Sequence, residues 1–123
     1  MPRLNLLVLR ARNADALAEF YSAIGVTFVR HRHGAGPEHF ATEDVGGVFE
    51  IYPASTTAPT QGLRVGFSVE DVKLSVERAL TAGGAIVMPP SGSPWGLRAV
   101  VSDLEGHHVE LTQADPTTSS LVA

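Results

Sequence analysis

Residues 63–71 (LRVGFSVED) repeat the pattern of residues 5–13 (NLLVLRARN), at an offset of about 58 residues in a chain of 123. Each stretch is an apolar, strand-like run that ends in a polar turn, and a helical run with a closing glycine follows it. Three more strand-like pieces complete each half. A period of this length indicates one supersecondary unit that is used twice. A cleft between the two copies is then a natural place for a ligand.

The first half has clear helix signals. Asn13 is a favourable N-cap for the run 14–24. Helical spacing gives this run one apolar face, formed by Leu17, Phe20, Tyr21 and Ile24. Gly25 is placed to end the helix. The pattern predicts strands around the helix, at residues 4–11, 26–32, 38–42 and 48–52.

The second half predicts the same order. A helix is expected over 72–82 and strands over 63–69, 85–88, 97–102 and 107–112. Residues 89–94 contain three prolines and predict a loop, and residues 103–106 predict a hairpin turn. Between the halves, residues 53–61 are rich in Ser, Thr, Ala and Pro and predict an extended connector.

Composition excludes several classes of protein. Hydrophobic residues make up 44% of the chain and charged residues 18%, which is typical of a globular core. The chain has no cysteine, so disulfides and thiol chemistry are excluded. The net charge is −4, and the largest basic cluster is residues 30–33 (RHRH), so nucleic-acid binding is not expected. No apolar run reaches membrane-spanning length and no signal peptide is evident, so a cytoplasmic protein without membrane contact is expected.

Three segments resemble the vicinal oxygen chelate superfamily, which includes glyoxalase, bleomycin-resistance proteins and extradiol dioxygenases. The first is the opening strand with Phe20-Tyr21 near the end of its helix. The second is residues 69–72 (VEDV) followed by residues 82–85 (AGGA). The third and most specific is Trp95-Gly96 followed by residues 101–111 (VSDLEGHHVEL), which resembles the closing hairpin of that superfamily.

This resemblance implies an α+β fold, in which two βαβββ modules form curved mixed sheets around a cleft, with the helices on the convex side. The expected layout is a single domain, residues 1–123. It has module one at 4–53, a connector at 54–61, module two at 62–113 and a flexible tail at 114–123. The resemblance also implies a homodimer, with modules that pair either within one chain or between chains.

Metal-using members of the superfamily place ligands on the first and last strand of each module. The matching positions here are Leu6, Glu50, Arg64 and Glu110. Both carboxylates are present, but leucine has no donor atom, and a guanidinium stays protonated and repels a cation. The sequence therefore predicts no metal and no cofactor.

Strand parity places further side chains on the predicted cleft face beside Arg64. Arg64, between Glu50 and Glu110, is either an anchor for an anionic ligand or an internal salt bridge. Trp95 either closes over the cleft as a lid or plugs the edge of a sheet. The predicted ligand-binding residues are Leu6, Val48, Glu50, Tyr52, Arg64, Trp95, His108 and Glu110.

Histidines offer two further possibilities. His31, His33 and His39 could form a metal site, but a solvated strand end is the preferred interpretation. His108 is the histidine expected in the cleft, where it and Glu110 are the candidate catalytic residues.

Two functions are compatible with these sequence features. The first is a metal-free protein that binds or sequesters a small organic molecule, as the bleomycin-resistance branch does. The expected ligand is planar or aromatic and carries an anionic or carbonyl group. The alternative is a lyase, isomerase or dioxygenase of the same superfamily that acts on a small organic substrate.

Overall fold

The computed structural model describes residues 1–114, so the predicted flexible tail lies outside the described residues except for residue 114. The first unit has strand β1 (Leu6–Ala11), helix α1 (Ala14–Ala23) and strands β2 (Val29–His31), β3 (His39–Thr42) and β4 (Val48–Pro53). The second has strand β5 (Arg64–Ser68), helix α2 (Val72–Thr81) and strands β6 (Ala85–Ser93), β7 (Gly96–Ser102) and β8 (His108–Gln113). The chain divides between Gln61 and Gly62. That the units form a single domain stays a prediction.

Both units have the same sheet topology, as the repeat predicts. The strand orders are β1-β4-β3-β2 and β5-β8-β7-β6. The first and last strands of each unit pair in parallel, and the other pairings are antiparallel. The two-module α+β fold with mixed sheets is therefore confirmed.

The helices begin and end where the local signals predict. Asn13 accepts a hydrogen bond from the backbone N–H of Ala16 at 3.0 Å, and Asp71 accepts one from Leu74 at 3.1 Å. Gly25 and Gly83 follow the two helix ends at φ +108° and +102°, a region that favours glycine. Neither helix in the described part of the chain is long and apolar enough to span a membrane.

Each helix packs on one face of its own sheet. In the first unit, α1 buries Phe20 and Tyr21, and the Tyr21 ring meets Phe49 of β4 edge to face at 5.2 Å. In the second unit, Val72 and Val76 of α2 are buried, as are Val109 and Leu111 of β8. Burial alternates along β4 and β8, so the residues between the buried ones lie on the face opposite the helix.

The prediction of a loop at residues 89–94 is wrong. Strand β6 continues through Pro89 and Pro90 to Ser93, with register shifts on either side of Met88. It is the edge strand of its sheet, and an edge strand tolerates prolines because half of its backbone groups need no ladder partner.

The connector lies along the free edge of β1. The backbone N–H of Thr60 donates to the Arg10 carbonyl at 2.9 Å, and its hydroxyl accepts from the Arg10 N–H at 3.1 Å. This segment therefore satisfies edge groups that β4 does not reach.

Candidate functional site

In the first unit, strand register brings polar side chains together on the face opposite α1. Ala41 of β3 is paired with Glu50 of β4, and His39 of β3 is paired with His31 of β2. Since alternate residues share a face, His31, His39 and Glu50 all lie on this one. The same face carries the predicted ligand residues Leu6 and Val48, which are register partners.

His39 is a buried polar group of this face. Its ring stacks on Tyr52 at 4.1 Å with an interplanar angle of 8°, and the Arg10 guanidinium lies 5.4 Å from the centre of the Tyr52 ring. Its side chain is 1% exposed, so the interpretation as a solvated strand end is wrong for His39. The stack forms because the pairing of β3 with β4 places His39 beside the Tyr52 ring. Residue spacing along the chain does not indicate this cross-strand contact.

A cavity of about 470 Å³ opens on this face of the first unit. Val29, Ala41 and Val48 line it with apolar atoms, and its acidic lining residues are Glu43, Asp44 and Glu50. His31 and His33, which the sequence pattern did not assign to ligand binding, also line it. A mixed lining of this size suits a small organic molecule.

The other face of β2 carries a surface charge cluster. The Arg30 guanidinium donates to Glu38 and lies 3.4 Å from Asp15. The hydrogen bond from Arg30 holds the pKa of the Glu38 carboxyl below its usual range and raises that of Arg30. Arg30 alternates along β2 with the cavity residues Val29 and His31, so this exposed cluster lies on the opposite face of the strand.

In the second unit, Arg98 is the main partner of Glu110. Its Nε and Nη2 atoms donate to Glu110 Oε1 at 2.9 and 2.6 Å. Arg64, the predicted partner, lies at 3.5 Å from the same oxygen, so its predicted approach to Glu110 is confirmed. Arg98 was not among the residues predicted from the sequence, although the hairpin turn at 103–106 sets the register that places it beside β8. That Glu50 joins this cluster stays a prediction.

The remaining predicted site residues of the second unit are His108 and Trp95. His108 shares a strand face with Glu110 and is the register partner of Arg64. Trp95 lies in the tight turn between β6 and β7, where its backbone N–H donates to Ser93 Oγ at 3.2 Å. It is therefore not at the end of a flexible loop. Its role in ligand binding, and the catalytic roles of His108 and Glu110, stay predictions.

The positions to which the resemblance assigns metal ligands do not together fit a metal here. Leu6 offers no donor atom, and the Arg64 cation contacts the Glu110 carboxylate in the second unit. A divalent ion at Glu110 would have to compete with two guanidiniums. No chemistry is therefore assigned to a metal at these inherited positions.

The two arginines are expected to contribute differently to stability. Replacing Arg98, whose side chain is 20% exposed, by leucine should lower the free energy of unfolding by about 2 kcal/mol, because Glu110 loses two charged hydrogen bonds. Replacing Arg64, which is 54% exposed, by leucine should cost less than about 1 kcal/mol. Urea unfolding at neutral pH measures both values. Equal losses for the two variants would contradict this ranking of the contacts.

Comparison with known proteins places the fold in a known superfamily. The sequence profile of the Glyoxalase/Bleomycin resistance protein/Dioxygenase superfamily matches residues 3–111. No curated protein sequence matches the chain significantly.

Several solved structures share the fold. A glyoxalase-related enzyme from Fulvimarina pelagi is 22% identical, with a TM-score of 0.77, and the match covers 100% of this chain and 99% of that one. TioX from Micromonospora sp. ML1 is 25% identical, with a TM-score of 0.67 and coverage of 93% and 100%. TnmS3, an antibiotic binding protein from Streptomyces sp. CB03234, is 21% identical, with a TM-score of 0.67 and coverage of 94% and 98%. With the profile match over nearly all of its described residues, the chain belongs to the Glyoxalase/Bleomycin resistance protein/Dioxygenase superfamily.

Proposed function

We propose that this protein binds a small planar or aromatic organic molecule that carries an anionic or carbonyl group, and that it does so without a metal at the inherited positions. The observation that carries this proposal is the charge balance of the cluster in the second unit. There, two guanidiniums, of Arg64 and Arg98, contact the single carboxylate of Glu110. Arg98 already neutralises Glu110, so the charge of the half-exposed Arg64 is left to attract an anion.

The first unit, taken by itself, also offers a cavity for an organic molecule. Its lining combines aliphatic, histidine and acidic side chains, and the Tyr52 and His39 rings lie stacked on the same sheet face. Burial of apolar ligand surface stabilises a complex by about 25 cal/mol per Å² before the costs of association. TnmS3, which shares the fold, is an antibiotic binding protein. A homodimer in the cytoplasm remains part of the proposal.

Arg64 is the residue that tests this proposal. A thermal-shift screen of aromatic carboxylates, each beside its neutral amide, should find carboxylates that stabilise the parent protein more than their amides. Calorimetry on the best carboxylate should then show about tenfold weaker binding to Arg64→Ala, since a charged hydrogen bond contributes about 1.5 kcal/mol. The control is Arg78→Ala, an exposed arginine on α2, which should bind like the parent.

Two outcomes would contradict the proposal. Equal affinity of the parent and Arg64→Ala would show that Arg64 is structural. A broad screen in which no carboxylate or amide stabilises the parent would count against small-molecule binding itself.

A further inference from the structure

We propose that His31, His33 and His39 bind one divalent transition-metal ion of the zinc, nickel or cobalt class. One ring nitrogen from each of these side chains lies within 4.8 Å of those of the other two. The ring centres of His31 and His33 are 4.7 Å apart, and that of His39 is 5.7 Å from His31 and 5.4 Å from His33. Three imidazoles that converge in this way are the ligands that zinc and its neighbours in the first transition row prefer.

The buried His39 ring provides the second, independent observation. Its Nδ1 lies 3.3 Å from the Pro37 carbonyl oxygen, and a carbonyl can only accept, so Nδ1 carries the hydrogen. In the neutral ring the lone pair is then on Nε2, which is buried and makes no hydrogen bond among the described residues. A buried polar atom without a partner is costly, and a metal ion on the lone pair would remove that cost. The Pro37 contact fixes the ring tautomer as outer partners of metal-bound histidines do.

Glu50 makes a cation at this position more favourable. Its Oε2 atom lies 3.3 Å from His39 Nε2, and its side chain is only 16% exposed. A lone pair and a carboxylate oxygen at this distance repel each other, so this position favours a proton or a metal ion between the two atoms, and the two compete for it. Glu50 is also a candidate fourth ligand, which would complete a set of three nitrogens and one oxygen.

Small side-chain movements would complete the site. Nitrogens bound to the same zinc ion lie about 3.3 Å apart, because each Zn–N bond is about 2.0 Å long. His31 and His33 are exposed, so their rings can turn toward the fixed His39 ring without disturbing the core. The nitrogen donors are on β2, on the segment after it and on β3. Of the four inherited positions this site would share only Glu50, and its nitrogen ligands replace those that the superfamily has on β1 and β5, where this chain has Leu6 and Arg64.

The experiment titrates Zn²⁺ and Co²⁺ into the full chain, produced without a histidine tag and treated with chelator. Calorimetry should show about one ion per chain, and Co²⁺ should give the visible absorption of a site with nitrogen ligands. His31→Ala and His33→Ala should each weaken binding by more than about tenfold. Both replace exposed side chains, so urea unfolding without metal should match the parent protein.

The matched control is Arg32→Ala, an exposed side chain between the two cluster histidines, which should bind the ion at least as tightly as the parent. The proposal is overturned if the parent binds neither ion, if both cluster variants bind as tightly as the parent, or if Arg32→Ala loses as much affinity as they do. The site lies in the lining of the first unit's cavity, but its test is separate from that of the proposed function, because metal titration of the histidine variants does not depend on Arg64.

Discussion

Replacing Asp103 by alanine is expected to lower the free energy of unfolding by about 3 to 5 kcal/mol, because it leaves a buried partner without its counterpart. Asp103 Oδ2 accepts from His107 Nδ1 at 2.7 Å, and both side chains are fully buried. Asp103 Oδ1 accepts the backbone N–H groups of Glu105 and His107 at 2.9 and 3.0 Å. This one carboxylate therefore holds the hairpin turn between β7 and β8, which sets the register that pairs Arg98 with Thr112, two residues from Glu110 on the same strand face.

Asp71→Ala is the matched control for this prediction. Asp71 is also an aspartate that accepts a backbone N–H, but it is exposed and caps α2 with a single bond, so its loss should cost about 1 kcal/mol. Asp103→Asn keeps an oxygen for the two N–H groups and should fall between the two values. Urea unfolding measures all three. Equal costs for Asp103→Ala and Asp71→Ala would contradict the role given to the buried pair.

The second large effect is expected from Phe49→Ala, at about 3 to 5 kcal/mol, because truncation of a buried aromatic leaves a cavity. Phe49 is 2% exposed, and its ring lies between two others, 5.2 Å from Tyr21 and 5.6 Å from Phe28. It is next to Glu50 on β4 but on the opposite face, so the cavity lining itself stays unchanged.

Two milder variants test the packing explanation. Phe49→Leu keeps most of the volume and should cost less than about 1.5 kcal/mol. Val29→Ala removes an aliphatic side chain that is 62% exposed, and should cost less than about 0.5 kcal/mol. A loss for Phe49→Leu as large as that for Phe49→Ala would show that the ring contacts, and not the filled volume, stabilise this core.

Much of each unit could be predicted because its signals are local. Asn13 and Asp71 cap their helices with their own side chains. Alternation along β4 and β8 separates the buried face from the face that carries Glu50 and Glu110. The prediction of a loop at residues 89–94 is wrong because prolines indicate a loop in most positions but are tolerated in an edge strand, and the local sequence does not show that β6 lies at the edge of its sheet.

Candidate site residues could be predicted only in part. Parity correctly placed Glu50 with Val48, and Glu110 with His108, on the faces opposite the helices. Alternation did not predict the contact of Arg98 with Glu110 or the stacking of the buried His39 ring on Tyr52. Both contacts join different strands, so they depend on register as well as on alternation.

The sequence by itself determined the repeated βαβββ order, the helix limits and the absence of nitrogen atoms that can bind a metal at the inherited metal positions. These follow from periods of 3.6 and 2 and from residue chemistry, which neighbours along the chain already specify. Only the tertiary structure decided that His39 is buried within reach of His31 and His33, and that Arg98 rather than Arg64 neutralises Glu110. The physical reason is that strand pairing sets the distances between side chains far apart in sequence, and those distances decide which charges and lone pairs meet.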